Sequence, residues 1–347
     1  MAYKTIPVEQ AIGMVLPHDV TEIVPGEKKG PAFRKGHIIR PEDIDHLKRL
    51  GKEHIYCLEL GPGELHENHA AVRLANAVAG PNISWGEDIK EGKVSFSASI
   101  HGLFKVDVDG LYQLNLLGDI MLSTIHSNTV VRKGDPVAAG RAIPLVIPET
   151  LMERAESISR ARGGLISVKP WKVRRGALVV TGREVYEGRV KDAFAMKMAE
   201  KLGAYGVVTI SSVLVPDDPH RIAREIVGAL DRGAEIVICT GGMSVDPDDV
   251  TRHGIRLAGA TSEVYGSPVL PGAMFLVAYM RDEVPILGVP ACGMFFKITV
   301  LDLVLPRIIA GEAITREQMA AMGHGGLCLG CKRCRYPVCP FGKGGNN

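Results

Sequence analysis

From Gly176 onward, short apolar runs alternate with stretches of helical periodicity, and that alternation limits the fold more than any other feature of the chain. "ALVVTG" precedes the helical "VKDAFAMKMAEKLGA", and "YGVVTISSVL" precedes "DPHRIAREIVGALDRG". "AEIVICTGG" follows, then "AMFLVAYM", "PILGVP" and a closing helix in "MFFKITVLDLVLPRIIAG". Continuous apolar strands between helices predict a largely parallel sheet covered on both faces. The expected fold class is α/β, with the ligand beyond the carboxyl ends of the strands. Three glycine-rich turns are expected at those ends: "VTGREVYEG" (180–188), "CTGGMSVDPDD" (239–249) and "GVPACG" (288–293).

The rest of the chain reads differently. Residues 1–60 suggest a small α+β unit, with a short helix in "PEDIDHLKRLG" and a strand in "HIYCLEL". "GPGE" at 61–64 breaks the chain, and 65–80 reads as a helix ending at Gly80. Through residue 148 the pattern is β-rich, with "DVDG" as a hairpin-type turn, and predicts a small barrel or sandwich. Residues 149–175 begin as an amphipathic connecting helix, "ETLMERAESISRAR". The α/β domain is expected over 176–313 and a mobile tail over 314–347.

Lys and Arg number 41 against 39 Asp and Glu, so the basic excess of a general nucleic-acid binder is missing. No apolar run reaches the roughly 18 residues of a membrane span, and the N-terminus lacks the layout of a signal peptide. A cytoplasmic location is expected. Three cysteines, Cys57, Cys239 and Cys292, are solitary in apolar surroundings. Cys328, Cys331, Cys334 and Cys339 instead follow C-x₂-C-x₂-C-x₄-C-P, one residue longer than a bacterial ferredoxin run. Such clustering in a cytosolic chain points to metal more than to disulfides, as an iron–sulfur cluster or zinc, with His324 as a substitute ligand.

The turn after "AEIVICT" carries the most chemistry. Gly241 and Gly242 allow backbone N–H groups to approach an oxyanion, and Ser244 adds a hydroxyl donor. Asp246, Asp248 and Asp249 suit such a site if Mg²⁺ bridges them to a phosphate or if they bind donor groups on a ring. Acids and a serine also cap helices, and paired glycines also make tight turns without a ligand. No G-x-G-x-x-G motif and no P-loop lysine occur, which disfavours ordinary dinucleotide or nucleoside-triphosphate binding. His66 and His69 in "HENHAA" share a helical face, as metal ligands or as solvated and capping side chains. Met196, Met198 and Met294 read as core residues. Cys292, before the last helix, reads as a small buried hydrophobe or as a thiol with a lowered pKa.

"TGREV" (181–185), "VKDAFAMKMAEKLGAYG" (190–206), "VPDD" (215–218), "TGGMSVDPDD" (240–249), "GSPVLPGAM" (266–274) and "GVPACGMF" (288–295) occur in order. Together they resemble the molybdopterin-binding domain of the MoeA, MogA and gephyrin family. "IPVEQAIGMVLPHDV" similarly resembles the start of MoeA-type proteins. The resemblance implies a three-layer α/β/α sandwich and a ligand, molybdopterin or its adenylylated form. It implies that Gly241, Gly242 and Ser244 surround the phosphate, with Thr181 and Gly182 on the first turn and Pro271 and Gly272 on the opposite rim. Asp249 and Asp192 match family acids and become the candidate catalytic residues, with Mg²⁺ as their cation. It further implies molybdate as co-substrate, a molybdoenzyme as recipient and a homo-oligomer. The chain has "PACG" where the MoeA branch usually has a "PGNP"-like turn. It also has "PGEKKGPAFRKGH" in place of a "SAMDGYA"-like segment, which supplies Lys28, Lys29, Arg34, Lys35 and His37 as an anion patch or a solvated loop. Three readings follow: a molybdotransferase that releases AMP, a carrier or sensor that hands on the cofactor through the cysteine tail, and a nucleotide pyrophosphatase of the CinA type.

Overall fold

The computed structural model describes residues 4–24, 28–57, 60–86, 89–189, 192–244, 246–247, 249–281 and 283–344. The chain forms two compact units, and their boundary is not a single point. One unit takes 1–99, 106–125 and 132–168; the other takes 100–105, 126–131 and 169–347.

In the first unit, Lys4–Pro7 pairs with His54–Cys57 and Val20–Val24 with Lys28–Phe33, around a core of Val8, Leu16, Phe33, Ile39, Leu47 and Ile55. Beyond Gly63, the strands Ile83–Trp85, Lys93–Ala98, Pro136–Ala142 and Ile120–Thr124 make one four-stranded antiparallel sheet, in that order. Val94, Phe96 and Ala98 alternate inward along its second strand, as a half-buried strand requires. The helix Glu67–Val78 buries Ala70, Ala71, Leu74, Ala75 and Val78 on one face. "DVDG" is not a hairpin. The Asp107 carboxylate accepts the Gly110 N–H at 2.8 Å and caps the helix Val108–Asn115, since an N-cap and a turn use the same side chain. The helix Glu149–Arg160 is no free connector. Its Glu149 and Glu156 each meet Arg73 of the Glu67–Val78 helix at 2.7 Å.

The second unit holds the α/β sheet. Its strands are β1 (Arg175–Thr181), β2 (Val208–Val215), β3 (Ile236–Thr240), β4 (Thr261–Tyr265), β5 (Leu276–Met280) and β6 (Val284–Val289). Their order is β2-β1-β3-β6-β5-β4, parallel through the first four and antiparallel at both β6–β5 and β5–β4. Helices α1 (Phe194–Gly203), α2 (Pro219–Asp231), α3 (Thr251–Leu257) and α4 (Val300–Ile309) cover it. Alternation along β1 assigns the faces. Leu178 and Val180 join Phe194, Met198 and Leu202 of α1 and Val304 and Ile308 of α4 in one core. Ala177 and Val179 join Ile222 and Ile226 of α2 and Ile255 of α3 in the other. The result is the expected three-layer sandwich. Each large side chain buried there contributes about 2 kcal/mol, before entropy is counted.

Three details differ from expectation. "MFFKITVLDLVLPRIIAG" is broken, because Thr299 and Asp302 form a capping box that starts α4 only at Val300. Met198 is fully buried, but Met196 is 66% exposed, nearly half a turn from the apolar stripe of α1. The C-terminal segment is docked along the domain, with Phe341 buried in the α1/α4 core and a further helix at Arg316–Ala321. No helix among the described residues is long and apolar enough to cross a membrane.

Glu312, just past α4, ties this unit together at its edge. Its carboxylate meets Lys169 at 2.8 Å, Lys105 at 2.9 Å and Arg307 at 2.9 Å. Burial alone would raise its pKa, but the three cations outweigh burial and hold it at about 2 against an ordinary 4.5. A depressed pKa contributes stability above the unfolded value, and that contribution is lost as the pH falls through 4.5 toward 2. The difference corresponds to about 3 kcal/mol. Glu312→Gln is therefore expected to destabilise the protein at pH 7 and to flatten its stability between pH 5 and 2 by about that much, as read by urea denaturation across a pH series.

Candidate functional site

The site sits where β1 and β3, the central parallel strands, end side by side at Thr181 and Thr240. The chain leaves β1 for one edge of the sheet and crosses back over it to β3, so the loops after these strands diverge and leave a crevice. Thr181 closes the floor of that crevice. Its buried hydroxyl donates to the Thr240 carbonyl at 3.0 Å and lies 2.8 Å from the hydroxyl of Thr251, the first residue of α3.

That packing dictates the paired glycines. A Cβ on Gly241 would lie 2.4 Å from the Thr181 carbonyl oxygen, and one on Gly242 would lie 2.5 Å from the Thr251 hydroxyl. Both residues also take positive φ, +86° and +54°. The glycines are thus required by the fold of the turn itself. The loop then folds back. The Asp249 carboxylate accepts the Ser244 N–H at 2.9 Å, and the Asp249 N–H donates to the Asp246 carbonyl at 2.9 Å. The Tyr265 hydroxyl of β4 donates to the Met243 carbonyl at 2.9 Å and pins the loop from the side.

Across the crevice, Leu270–Met274 and Pro290–Cys292 form a second wall. Together with Gly241, Gly242, Met243, Ser244 and Asp249 they enclose a cleft of about 440 Å³. The cleft thus gathers Gly241, Gly242, Ser244, Asp249, Pro271 and Gly272 from the sequence candidates. Thr181 is buried beneath the glycine turn, and Gly182 caps the short helix Arg183–Tyr186, so neither lines the cleft. Asp246 is exposed on the loop outside it. Asp248 lies outside the described residues. Asp192 is engaged elsewhere: its carboxylate accepts the N–H groups of Phe194 and Ala195 at 2.8 and 3.1 Å, capping α1.

Leu270, Ala273, Met274, Pro290, Ala291 and Cys292 join the cleft from far along the chain. Of these, Cys292 had a readable signal, its position before a helix, but its thiol is not activated. Burial raises its pKa above the ordinary value, against N–H groups of Cys292 and Gly293 that pull it down. Cys239, fully buried in β3, is pushed up to about 12 by burial.

The remaining candidates sort plainly. His66 is a cap: its Nε2 donates to the Gly36 carbonyl at 2.8 Å and its Nδ1 accepts the Asn68 N–H at 3.1 Å, so neither nitrogen is open to a metal. Burial lowers its pKa, consistent with a neutral ring. In the basic segment, His37 pairs with Asp43 at 2.7 Å and Arg34 with Glu91 at 3.7 Å. Cys328, Cys331, Cys334 and Cys339 line a second cleft of about 310 Å³, without His324. Among the described residues no three His, Cys, Asp or Glu side chains are already gathered for a metal ion.

Residues 177–310 match the family model of a probable molybdopterin-binding domain. The match spans the sheet and the glycine turn just described, and residues 5–59 match a domain of unknown function. A CinA-like protein of Frankia casuarinae is 39% identical over 84 residues, 24% of this chain and 19% of that protein. A CinA-like protein of Geobacter metallireducens is 40% identical over 87 residues, 24% of this chain and 20% of that protein. The chain thus spans about a fifth of the length of these curated relatives. Among solved structures, MoaB of Thermus thermophilus, described as a molybdopterin biosynthesis enzyme, aligns at 21% identity over 40% of this chain and 98% of its own, with a TM-score of 0.34. CinA of Thermoplasma acidophilum aligns at 16% identity over 40% of this chain and 98% of its own, with a TM-score of 0.35.

The close approach at the turn gives a direct test of the local account. Gly241→Ala is expected to cost about 2 kcal/mol, from left-handed backbone strain and the clash with Thr181. Equilibrium unfolding in urea would read this as a lower midpoint, with the slope unchanged.

Proposed function

We propose that this protein binds molybdopterin, or its adenylylated form, and acts in molybdenum-cofactor biosynthesis or delivery. The observation that carries the reading is the cleft at the strand ends, where the Gly241–Ser244 backbone and the Asp249 carboxylate face Pro271 and Gly272. Its volume of about 440 Å³ lies within the usual range for a small-molecule site. The matched family model over 177–310 supports the same ligand.

The residues present fit a phosphate accompanied by a cation. Asp249 occupies the Ser244 N–H that a phosphate oxygen would take. A bare anion would meet a carboxylate there, and a Mg²⁺ held by Asp249 would offset that repulsion. Mg²⁺ is commonly held by one or two carboxylates plus the substrate's own phosphates, which suits a cleft with Asp249 as its described acid. Asp246, exposed on the same loop, is a candidate for a second. When bound, the ion would neutralise charge on a pyrophosphate. The chain's own part is to present backbone donors from the glycine turn, to release Ser244 from Asp249, and to confine the ring of the ligand between Leu270–Met274 and Pro290–Cys292. Molybdate enters as substrate if the protein inserts it, with AMP as the leaving product. A carrier would bind the same ligand and leave it intact. The CinA-like relatives motivate a third arm of the test, hydrolysis of a nucleotide pyrophosphate.

The test combines binding with product release. The protein is mixed with Mg²⁺ and adenylylated molybdopterin, with and without molybdate, beside Asp249→Ala and a nucleotide pyrophosphate control. The expected result is binding that weakens about 10- to 100-fold in the variant, the scale of losing a metal-supporting group. Molybdate-dependent AMP release identifies insertion, and binding without release identifies a carrier. Hydrolysis of the control nucleotide with no affinity for the pterin would overturn the reading in favour of a pyrophosphatase.

A further inference from the structure

The second cleft lies on the same unit and brings all four cysteines of the C-terminal segment to one surface. Its two ends are anchored, and its middle is exposed. At one end, residues 326–328 run alongside Leu270: the Leu270 N–H donates to the Gly326 carbonyl at 2.8 Å, and the Cys328 N–H donates to the Leu270 carbonyl at 2.9 Å. At the other end, Phe341 is buried in the core with Cys339 and Tyr336 packed against it. Between these anchors Cys331 and Cys334 are exposed, in a stretch without helix or strand. Two held thiols therefore flank an arc carrying two more, and the arc can close without disturbing the core.

Charge supports the same view. Four thiolates around a divalent ion leave a net charge of about −2, and so does an oxidised cubane cluster. Lys332, Arg333 and Arg335 alternate with the cysteines in the arc, and Lys297 lines the cleft wall. Thiolate ligands select zinc and iron–sulfur centres over harder ions. We propose that Cys328, Cys331, Cys334 and Cys339 converge on one tetrathiolate metal centre, zinc or an iron–sulfur cluster, and that its loading stiffens the rim of the cofactor cleft. The link is Leu270. It is hydrogen-bonded on both sides to the cysteine segment, and it begins the Leu270–Met274 wall of the first cleft. Residues 290–292 line the first cleft and 296–298 the second, joined by the short helix Cys292–Phe295. Lys197 of α1 holds that connection by donating to the carbonyls of Met294 and Phe296, both at 2.8 Å. Metal binding to thiolates releases enough free energy to order a short loop, and tying the Cys331–Cys334 arc to Cys328 restrains the 326–328 segment to which Leu270 is hydrogen-bonded.

The test uses the full chain purified without oxygen, beside the double variant Cys331→Ser/Cys334→Ser. These two residues are exposed, so the core is expected to survive the change. Metal and acid-labile sulfide are measured per chain, together with hydrogen exchange of the Leu270–Ala273 backbone in loaded and chelator-treated protein. The proposal expects about one zinc per chain, or about four irons and four sulfides, lost in the variant. It also expects exchange at Leu270 to slow about tenfold on loading. Sulfide with iron identifies a cluster, and zinc without sulfide identifies the simple ion. Metal-free protein, disulfide-linked cysteines, or metal retained by the variant would overturn the centre. Stoichiometric metal with unchanged exchange at Leu270 would overturn the link to the cleft. Neither measurement uses the pterin, so both stand apart from the cofactor reading.

Discussion

The buried hydroxyl of Thr181 is the contact on which the site rests. It reaches the end of β3 through the Thr240 carbonyl and the start of α3 through Thr251. Three elements far apart in the chain are thereby held within a single hydrogen-bond network, where an unpaired polar group would be costly. Because the network is so close, nothing larger than hydrogen fits at residues 241 and 242. Because those residues are glycine, the loop can turn back sharply and deliver Asp249 to Ser244. The cleft is the outer surface of this arrangement.

Much of this was legible beforehand. Buried parallel strands need apolar residues on both faces, so "ALVVTG" and "AEIVICTGG" announce themselves without partners in view. The glycine pair and the acid after it were equally visible, because a tight turn leaves few alternatives for residue type. The same logic misled at "DVDG", where Asp107 caps a helix and its short-range pattern matches a turn. The sequence also did not reveal β4: "TSEVY" fully buries only Val264 and lies at the sheet edge, where an apolar signal is weakest.

The second wall of the cleft was less accessible to sequence reasoning. Pro271 and Gly272 came from resemblance, while Leu270, Met274 and Pro290 enter only through the tertiary fold. Asp192 shows the converse. Its position before a helix suits both a catalytic acid and a cap, and the hydrogen bonds to Phe194 and Ala195 assign it to the cap. For the cysteine segment, spacing disclosed the thiols but not the docking. The anchor is Phe341, a lone aromatic among glycines, whose burial depends on a groove made by residues of α4.

The interleaving of the two units has a consequence for how the chain is made. Leu103 shares its core with Ile309 and Met319, so a residue synthesised early waits for partners some two hundred positions later. Contacts of such sequence separation are slow to form, because loop closure must precede any gain from burial. During translation Leu103 stays without its final neighbours until the last helices emerge. A chain terminated before α4 would leave it exposed, so premature stops are expected to yield aggregation rather than a free-standing first half.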